Sequence, residues 1–243
     1  MILPDTYRIE FVVASILIAV LTAYAAMSTS SMIRDYSPRT VQHWGWILVS
    51  AACLGGGIWA MHFVAMLGYV LPIPVNYNVL LTIASLLLPI LVAIPGFYIA
   101  FQEKKLTWTR NLMIGTIYGI AIVGMHYTGM AAMDMKAYID WDMTYVILSV
   151  MVAVIAATAS IRASFIQLSF IPAIAGSVLM GIAISGMHYT AMCAVTVVGD
   201  QSIQVSSPEA IVTRTSLGVG VIVLAFGILL TGLIFAGQHR RIH

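Results

Sequence analysis

The chain has 243 residues, of which 61% are hydrophobic and only 8% charged, with a mean hydropathy of +1.00 and a formal net charge of +2. An ordinary soluble domain carries about 25% charged residues, so this composition excludes a water-facing surface and implies a polytopic membrane protein. No basic run interleaved with aromatics points to nucleic acid.

The N-terminus, Met1 to Glu10, lacks a basic leader and a small-residue cleavage site, so the first apolar run is read as a retained helix. Crossing a bilayer takes about 20 mainly apolar residues. Seven segments qualify: 9–29, 43–68, 78–101, 111–133, 143–161, 170–197 and 212–236. The expected fold is an all-α bundle of seven transmembrane helices forming one domain over residues 1–243. Pro89 and Pro95 predict a kink in the third span. Cys53 lies in the middle of the second span and Cys193 near the outer end of the sixth, so no disulfide is expected.

Charge divides the connections into two sets. One set carries Arg34, Arg39, Lys104, Lys105, Arg110, Arg162, Arg240 and Arg241 against Asp35 and Glu103. The other carries Arg8, Lys136 and Arg214 against Asp5, Glu10, Asp134, Asp140, Asp142, Asp200 and Glu209. Lys and Arg accumulate on the cytoplasmic side, which predicts an N-terminus outside and a C-terminus in the cytoplasm. Tyr69, Tyr77, Tyr138, Trp141 and Tyr145 are expected at the outer interface, and Trp44, Trp46 and Trp108 at the inner one.

Three hexapeptides dominate the pattern: Met61–Met66 (MHFVAM), Met125–Met130 (MHYTGM) and Met187–Met192 (MHYTAM). They recur in the second, fourth and sixth spans, always in the outer half. Helix pairs 1–2, 3–4 and 5–6 then form three repeats plus a seventh helix, with the motif helices around a pseudo-threefold axis. Gly55, Gly56, Gly57, Gly115, Gly119, Gly124, Gly181 and Gly186 precede the motifs on the same helices and favour close helix approach.

An ionisable side chain in hydrocarbon is costly, and three at matched depth imply one site built three times. Residues four apart share a helix face, which pairs His62 with Met66, His126 with Met130 and His188 with Met192. Imidazole plus thioether is a soft-to-borderline set that suits copper, while three imidazoles alone also suit zinc. Met61, Met125 and Met187 are rotated by about 100° and can only flank the site. Asp134, Asp200 and Cys193 are candidates for an auxiliary role at the outer rim. His43, His239 and His243 are assigned to solvent or phospholipid contact. Against this stands the plain alternative of methionine core filler with a polar packing cluster.

Absences narrow the function further. Apart from Glu10 and Arg214 at span ends, no Asp, Glu, Lys or Arg lies in a span, unlike most ion-coupled transporters, and the seventh span has no Lys for a retinal Schiff base. No nucleophile–base set or phosphate loop supports catalysis by this chain, so no enzyme activity is expected of it.

The repeated Met-His-Tyr-Thr with a preceding glycine, on alternate helices of a seven-helix bundle, resembles the MHYT family of bacterial membrane sensor domains. The resemblance covers nearly the whole chain, with the first copy reading Met-His-Phe-Val. It implies a copper-holding sensor of oxygen, carbon monoxide or nitric oxide. His62, His126 and His188 would be the ligands, and Met61, Met66, Met125, Met130, Met187 and Met192 the thioether partners. It also implies a cytoplasmic GGDEF or EAL output module for cyclic-di-GMP turnover, carried here on a separate partner or missing from an isolated domain. A homodimer is a further expectation. The rival readings are a copper sensor, carrier or channel, and a lipid-binding membrane module.

Overall fold

A computed structural model describes residues 1–38, 40–102, 106–166 and 170–242. Arg39, Glu103, Lys104, Lys105 and His243 lie outside the described residues, as do the side chains of His239, Arg240 and Arg241. Among the described residues, seven helices are long and apolar enough to cross a membrane. They are α1 (Ile9–Ser31), α2 (Val41–Gly68), α3 (Val79–Ala100), α4 (Trp108–Ala131), α5 (Met143–Ile166), α6 (Phe170–Met192) and α7 (Arg214–Ile242). Local chemistry sets where they begin: Thr40, Asn78 and Thr107 accept from the backbone N–H of His43, Leu81 and Arg110, capping α2, α3 and α4.

Helices α1 to α6 close a ring in chain order, and α2, α4 and α6 also touch one another. These three motif helices therefore form the inner layer, and α1, α3 and α5 wedge between them from outside. The pseudo-threefold arrangement expected from the repeats is what forms. Helix α7 packs outside the ring on α1 and α2. This leaves α2 the most enclosed span, with 83% of its apolar window buried against 28% for α3 and for α7.

Glycine decides how closely inner and outer helices approach. A Cβ added at Gly55 would sit 2.5 Å from the backbone nitrogen of Ile90 in α3. At Gly119 it would meet the backbone of Val154 in α5 at 3.0–3.1 Å, and at Gly181 that of Val20 in α1 at 2.9–3.0 Å. No larger residue permits these crossings without moving a helix. Ile90 follows Pro89, which lies inside a continuous α3.

The connections at the motif end hold short strands that hydropathy did not reveal: β1 (Thr6–Tyr7), β2 (Tyr69–Val70), β3 (Asn76–Asn78), β4 (Met133–Asp134), β5 (Ala137–Trp141), β6 (Val195–Gly199) and β7 (Ile211–Val212). They pair antiparallel as β1–β2, β3–β4 and β5–β6, with Tyr7 opposite Tyr69, Tyr77 opposite Met133 and Trp141 opposite Val195. Each pair joins the entrance of an outer helix to the exit of an inner one, so the strands make a lid over that end of the bundle.

The lid corrects two expectations. The sixth span ends at Met192 rather than residue 197, because Val195–Gly199 is rich in β-branched residues and pairs with β5. Likewise the fourth ends at Ala131, before β4. Tyr69 and Tyr77 are not interfacial anchors but are buried, at 3% and 1% exposure, whereas Tyr138, Tyr145, Trp44 and Trp108 are exposed as expected.

Candidate metal centre

Each motif helix carries a glycine seven residues before its histidine and an aromatic residue just after it: Gly55, His62, Phe63; Gly119, His126, Tyr127; Gly181, His188, Tyr189. With the glycines locking the crossings, the three histidines arrive at one level, four to six residues before the helix ends. At about 1.5 Å per residue that is roughly 6–9 Å below the lid, shallower than a count to the nearest acidic loop residue suggests.

All three imidazoles are fully buried. Their Nδ1 atoms form a nearly equilateral triangle, with sides of 3.2 Å (His62–His188), 3.2 Å (His126–His188) and 3.3 Å (His62–His126). The rings stand edge to face in a propeller, with interplanar angles of 79–89°. Among the described residues this is the one cluster of histidine, cysteine or carboxylate side chains with the spacing of a metal site.

Hydrogen bonding within the triad cannot satisfy it. A neutral imidazole has one N–H and one lone pair, so three facing nitrogens share at most one proton without a clash. At least one contact is then lone pair against lone pair. A cation at the centre removes that conflict. The centre of such a triangle lies about 1.9 Å from each corner, just inside the roughly 2.0–2.1 Å of a metal–imidazole bond. In the plane of the three nitrogens there is room for a bare ion or a proton, but not for a lipid head group. The residues present fit a metal held by three neutral imidazoles. None of the three Nε2 atoms meets a protein acceptor. On His62 this atom faces the backbone of Gly129, where an added Cβ would come within 2.5 Å of it.

The aromatic neighbours extend the threefold plan beyond the histidines. Phe63, Tyr127 and Tyr189 each pack edge-on against their own histidine. Each also meets an aromatic of the lid, respectively Tyr77, Trp141 and Tyr7. Eight residues beyond each of these lid aromatics lies a fully buried serine of an outer helix: Ser85, Ser149 and Ser15. Every one of these hydroxyls donates to a carbonyl in its own helix, that of Thr82, Val146 or Val12. That leaves the oxygen to accept, from the Tyr127 hydroxyl at Ser149 (2.9 Å) and the Tyr189 hydroxyl at Ser15 (2.8 Å). In the first copy Phe63 has no hydroxyl, and the Trp59 indole Nε1–H reaches Ser85 instead, at 3.2 Å. A donor to the outer-helix serine is thus common to all three copies, although the residue supplying it is not. The signal available in the sequence was an aromatic residue eight positions before a serine, at the head of the first, third and fifth helices.

Met66, Met130 and Met192 are buried together with Leu3, Tyr69, Met135 and Val197, between the triad and the lid. Met61, Met125 and Met187 are fully buried in the main core. The auxiliary candidates go elsewhere. Asp134 accepts from the Ser206 backbone N–H, and Cys193 is exposed. Asp200 is bonded by the Ser202 hydroxyl and backbone N–H, which hold its carboxyl below the usual range. His43 is not a solvent contact but is buried beside the Ile33 carbonyl, 3.3 Å away. In the lid, burial and the nearby Asp5 carboxylate push the phenols of Tyr7 and Tyr69 above their ordinary range, so both stay neutral.

Comparison with known proteins agrees with the threefold repetition. A sequence model of the MHYT family, described as a bacterial signalling protein N-terminal repeat, matches three times, over residues 55–112, 119–177 and 181–242. The chain belongs to the MHYT family. Among curated MHYT relatives it is 36% identical over 197 residues to the bifunctional diguanylate cyclase/cyclic di-GMP phosphodiesterase MucR of Pseudomonas aeruginosa. That match covers 79% of this chain and 28% of MucR. Identity to the cyclic di-GMP phosphodiesterase NbdA of the same organism is 33% over 202 residues, 78% of this chain and 24% of NbdA. The signaling protein YkoW of Bacillus subtilis is 28% identical over 233 residues, 93% of this chain and 28% of its own length. The chain therefore spans about a quarter of these relatives. No solved structure matches it. The MHYT repeat frame joins each motif helix to the helix that follows, α2–α3, α4–α5 and α6–α7, rather than to the one before. In space the third repeat is closed by α1, because Gly181 and Tyr189 of α6 meet Val20 and Ser15 of α1.

Proposed function

We propose that this MHYT domain is the metal-dependent sensor of a bacterial inner-membrane signalling protein. His62, His126 and His188 hold a single ion, copper in preference to zinc, and the signal is a small diatomic gas: oxygen, carbon monoxide or nitric oxide. The single observation carrying the reading is the triangle of three Nδ1 atoms 3.2–3.3 Å apart, which protons alone cannot satisfy. When bound, copper would supply an open coordination position for an apolar gas that arrives through lipid. The chain's own residues do the rest. The imidazoles stay neutral and fix the ion's place, and the lid keeps bulk water from the triad. Met66, Met130 and Met192 line the approach from the lid with soft thioethers, which favours copper over zinc.

A cytoplasmic output domain for cyclic-di-GMP turnover is the proposed recipient, since the relatives MucR and NbdA are named for those activities. The excess of Arg and Lys in the connections remote from the triad supports a periplasmic lid and a cytoplasmic C-terminus. Copper transport is the weaker reading: a path needs further soft ligands below the triad, and Met113, the methionine in the half of α4 remote from the lid, is 44% exposed.

Metal content of purified protein, measured by mass spectrometry beside a His62/His126/His188→Ala variant, tests the centre. Copper near one per chain in the parent and none in the variant is expected; no metal in either after copper loading overturns the centre. An unchanged optical spectrum of the copper form under each of the three gases overturns the choice of signal.

A further inference from the structure

Six helices and three strand pairs obey the threefold plan; α7 and β7 do not. The carbonyl six residues after each motif histidine accepts a backbone N–H from the head of an outer helix. Arg8 bonds Gly68 at 3.0 Å, Asn78 bonds Ala132 at 2.7 Å and Asp142 bonds Ala194 at 2.9 Å. On the His62 arm a second ligand is added to this common set. The Arg214 guanidinium, at the first residue of α7, donates through Nη2 to the carbonyls of Leu67 (2.5 Å), Tyr69 (2.9 Å) and Met66 (3.4 Å). Met66 lies one turn beyond His62. The last carbonyls of a helix lack intrahelical partners and carry partial negative charge, so a cationic fork there is well matched.

The seventh helix then follows α2 downward. Gly218 receives the Leu67 side chain, 3.4 Å from where a Cβ would stand, and Ile228 fills the space above Gly56, at 2.8 Å. Strand β7 also pairs with β3, at the head of the α3 wedge beside α2. The arm that α7 grips is also the arm whose latch departs from the others. There the tyrosine is Phe63, and the serine bond is made by Trp59, one turn further from the lid.

We propose that Arg214 is a positioning residue that couples the His62 arm to α7, making α2 the motif helix whose displacement leaves the bundle. This rests on the sensor reading and names its exit. A ligand-driven change at the triad that moves α2 is carried through Arg214 to α7, which also packs on α1 and runs away from the lid to Ile242.

The test uses the full chain in lipid nanodiscs, with Cys53 and Cys193 replaced by serine and nitroxides at the exposed positions Leu230 in α7 and Met151 in α5. Electron–electron distances are read without copper and with it, and in metal-free His62→Ala and His126→Ala. Copper and His62→Ala are each expected to move the pair by about 1–2 Å, the scale of helix shifts in switching proteins, and His126→Ala by less. Arg214→Gln should abolish both movements with copper stoichiometry unchanged, and Arg214→Lys should restore them in part. An Arg214→Gln protein that moves like the parent overturns the proposal. So does loss of copper or of the folded state in both Arg214 variants, which would make the residue a plain helix cap. If the parent takes up no copper, the sensor reading fails, while the His62→Ala and His126→Ala distances still decide whether α7 follows α2.

Discussion

The His62 arm and the two others are built to one register yet finished differently. In all three, a glycine seven residues before the histidine sets the crossing, and a lid aromatic and a buried serine line up eight residues apart. The α4 and α6 arms fasten to α5 and α1 by tyrosine–serine bonds at the level of the triad. The α2 arm fastens one turn lower, through Trp59, and is held at its end by Arg214. Geometry that brings three nitrogens together tolerates little change, whereas the fastenings around it can differ and so make one arm unlike its fellows.

The largest expected effect comes from breaking the symmetric part. Replacing any one of His62, His126 and His188 by Ala should weaken copper binding by more than about 100-fold, beyond the roughly 10–100-fold typical of groups that only hydrogen-bond a ligand. Competition titration with a chelator measures it, and near-equal losses at the three sites are expected. A variant that keeps parental affinity would show that its histidine is no ligand. The crossings come next. Gly55→Val, Gly119→Val and Gly181→Val each drive a side chain into the backbone of a neighbouring helix and should each cost about 1–3 kcal/mol or more. Thermal unfolding in detergent reads this. Gly186→Ala is the control: a Cβ there meets only Val152, at an ordinary 3.6 Å. Equal melting of Gly186→Ala and the three valine variants would show that the crossings are not set by these glycines.

A smaller effect separates the arms. Gly129→Ala places a methyl group against the His62 ring and leaves the other two histidines alone. About 10-fold weaker copper binding is expected, equivalent to about 1.4 kcal/mol. The corresponding positions on α2 and α6 already hold alanine, at Ala65 and Ala191. Ala65→Gly and Ala191→Gly should therefore leave affinity near the parental value, and a loss as large as that of Gly129→Ala would contradict the assigned asymmetry.

Much of this was legible in the sequence because it is written as repetition or as length. Seven apolar runs fix seven spans, and three copies of one hexapeptide mark three side chains that the fold brings into contact. The lid was not legible. Its strands are two to five residues long, too short for alternation to register, and Val195–Gly199 is apolar enough to pass as the end of a helix. The latches were missed for a different reason. Comparing the motif copies alone shows hydroxyls in two of three and suggests no shared chemistry. The bonding partners Ser15, Ser85 and Ser149 stand on other helices, and only a second alignment, of the outer helices, brings them into register. The role of Arg214 was hidden too, since a loop arginine among acidic loops looks like one charge in an interfacial count.

The latches also offer the finest test of the difference between the arms. Tyr127→Phe and Tyr189→Phe each remove one donor to a buried serine, whose own proton is already committed to a carbonyl. Hydrogen bonds between membrane helices average about 0.6 kcal/mol in double-mutant cycles, so each change should cost roughly that much. The cycle with Ser149→Ala or Ser15→Ala should recover it as coupling. On the α2 arm the same exchange runs the other way. Phe63→Tyr adds a hydroxyl where Trp59 already serves Ser85, so no stabilisation is expected, and Trp59→Phe should show the 0.6 kcal/mol scale of loss. If Phe63→Tyr instead stabilises the protein and makes Trp59→Phe harmless, the tyrosine latch is available to all three arms. The asymmetry of the first would then reflect replaceable side chains rather than a different geometry of α2.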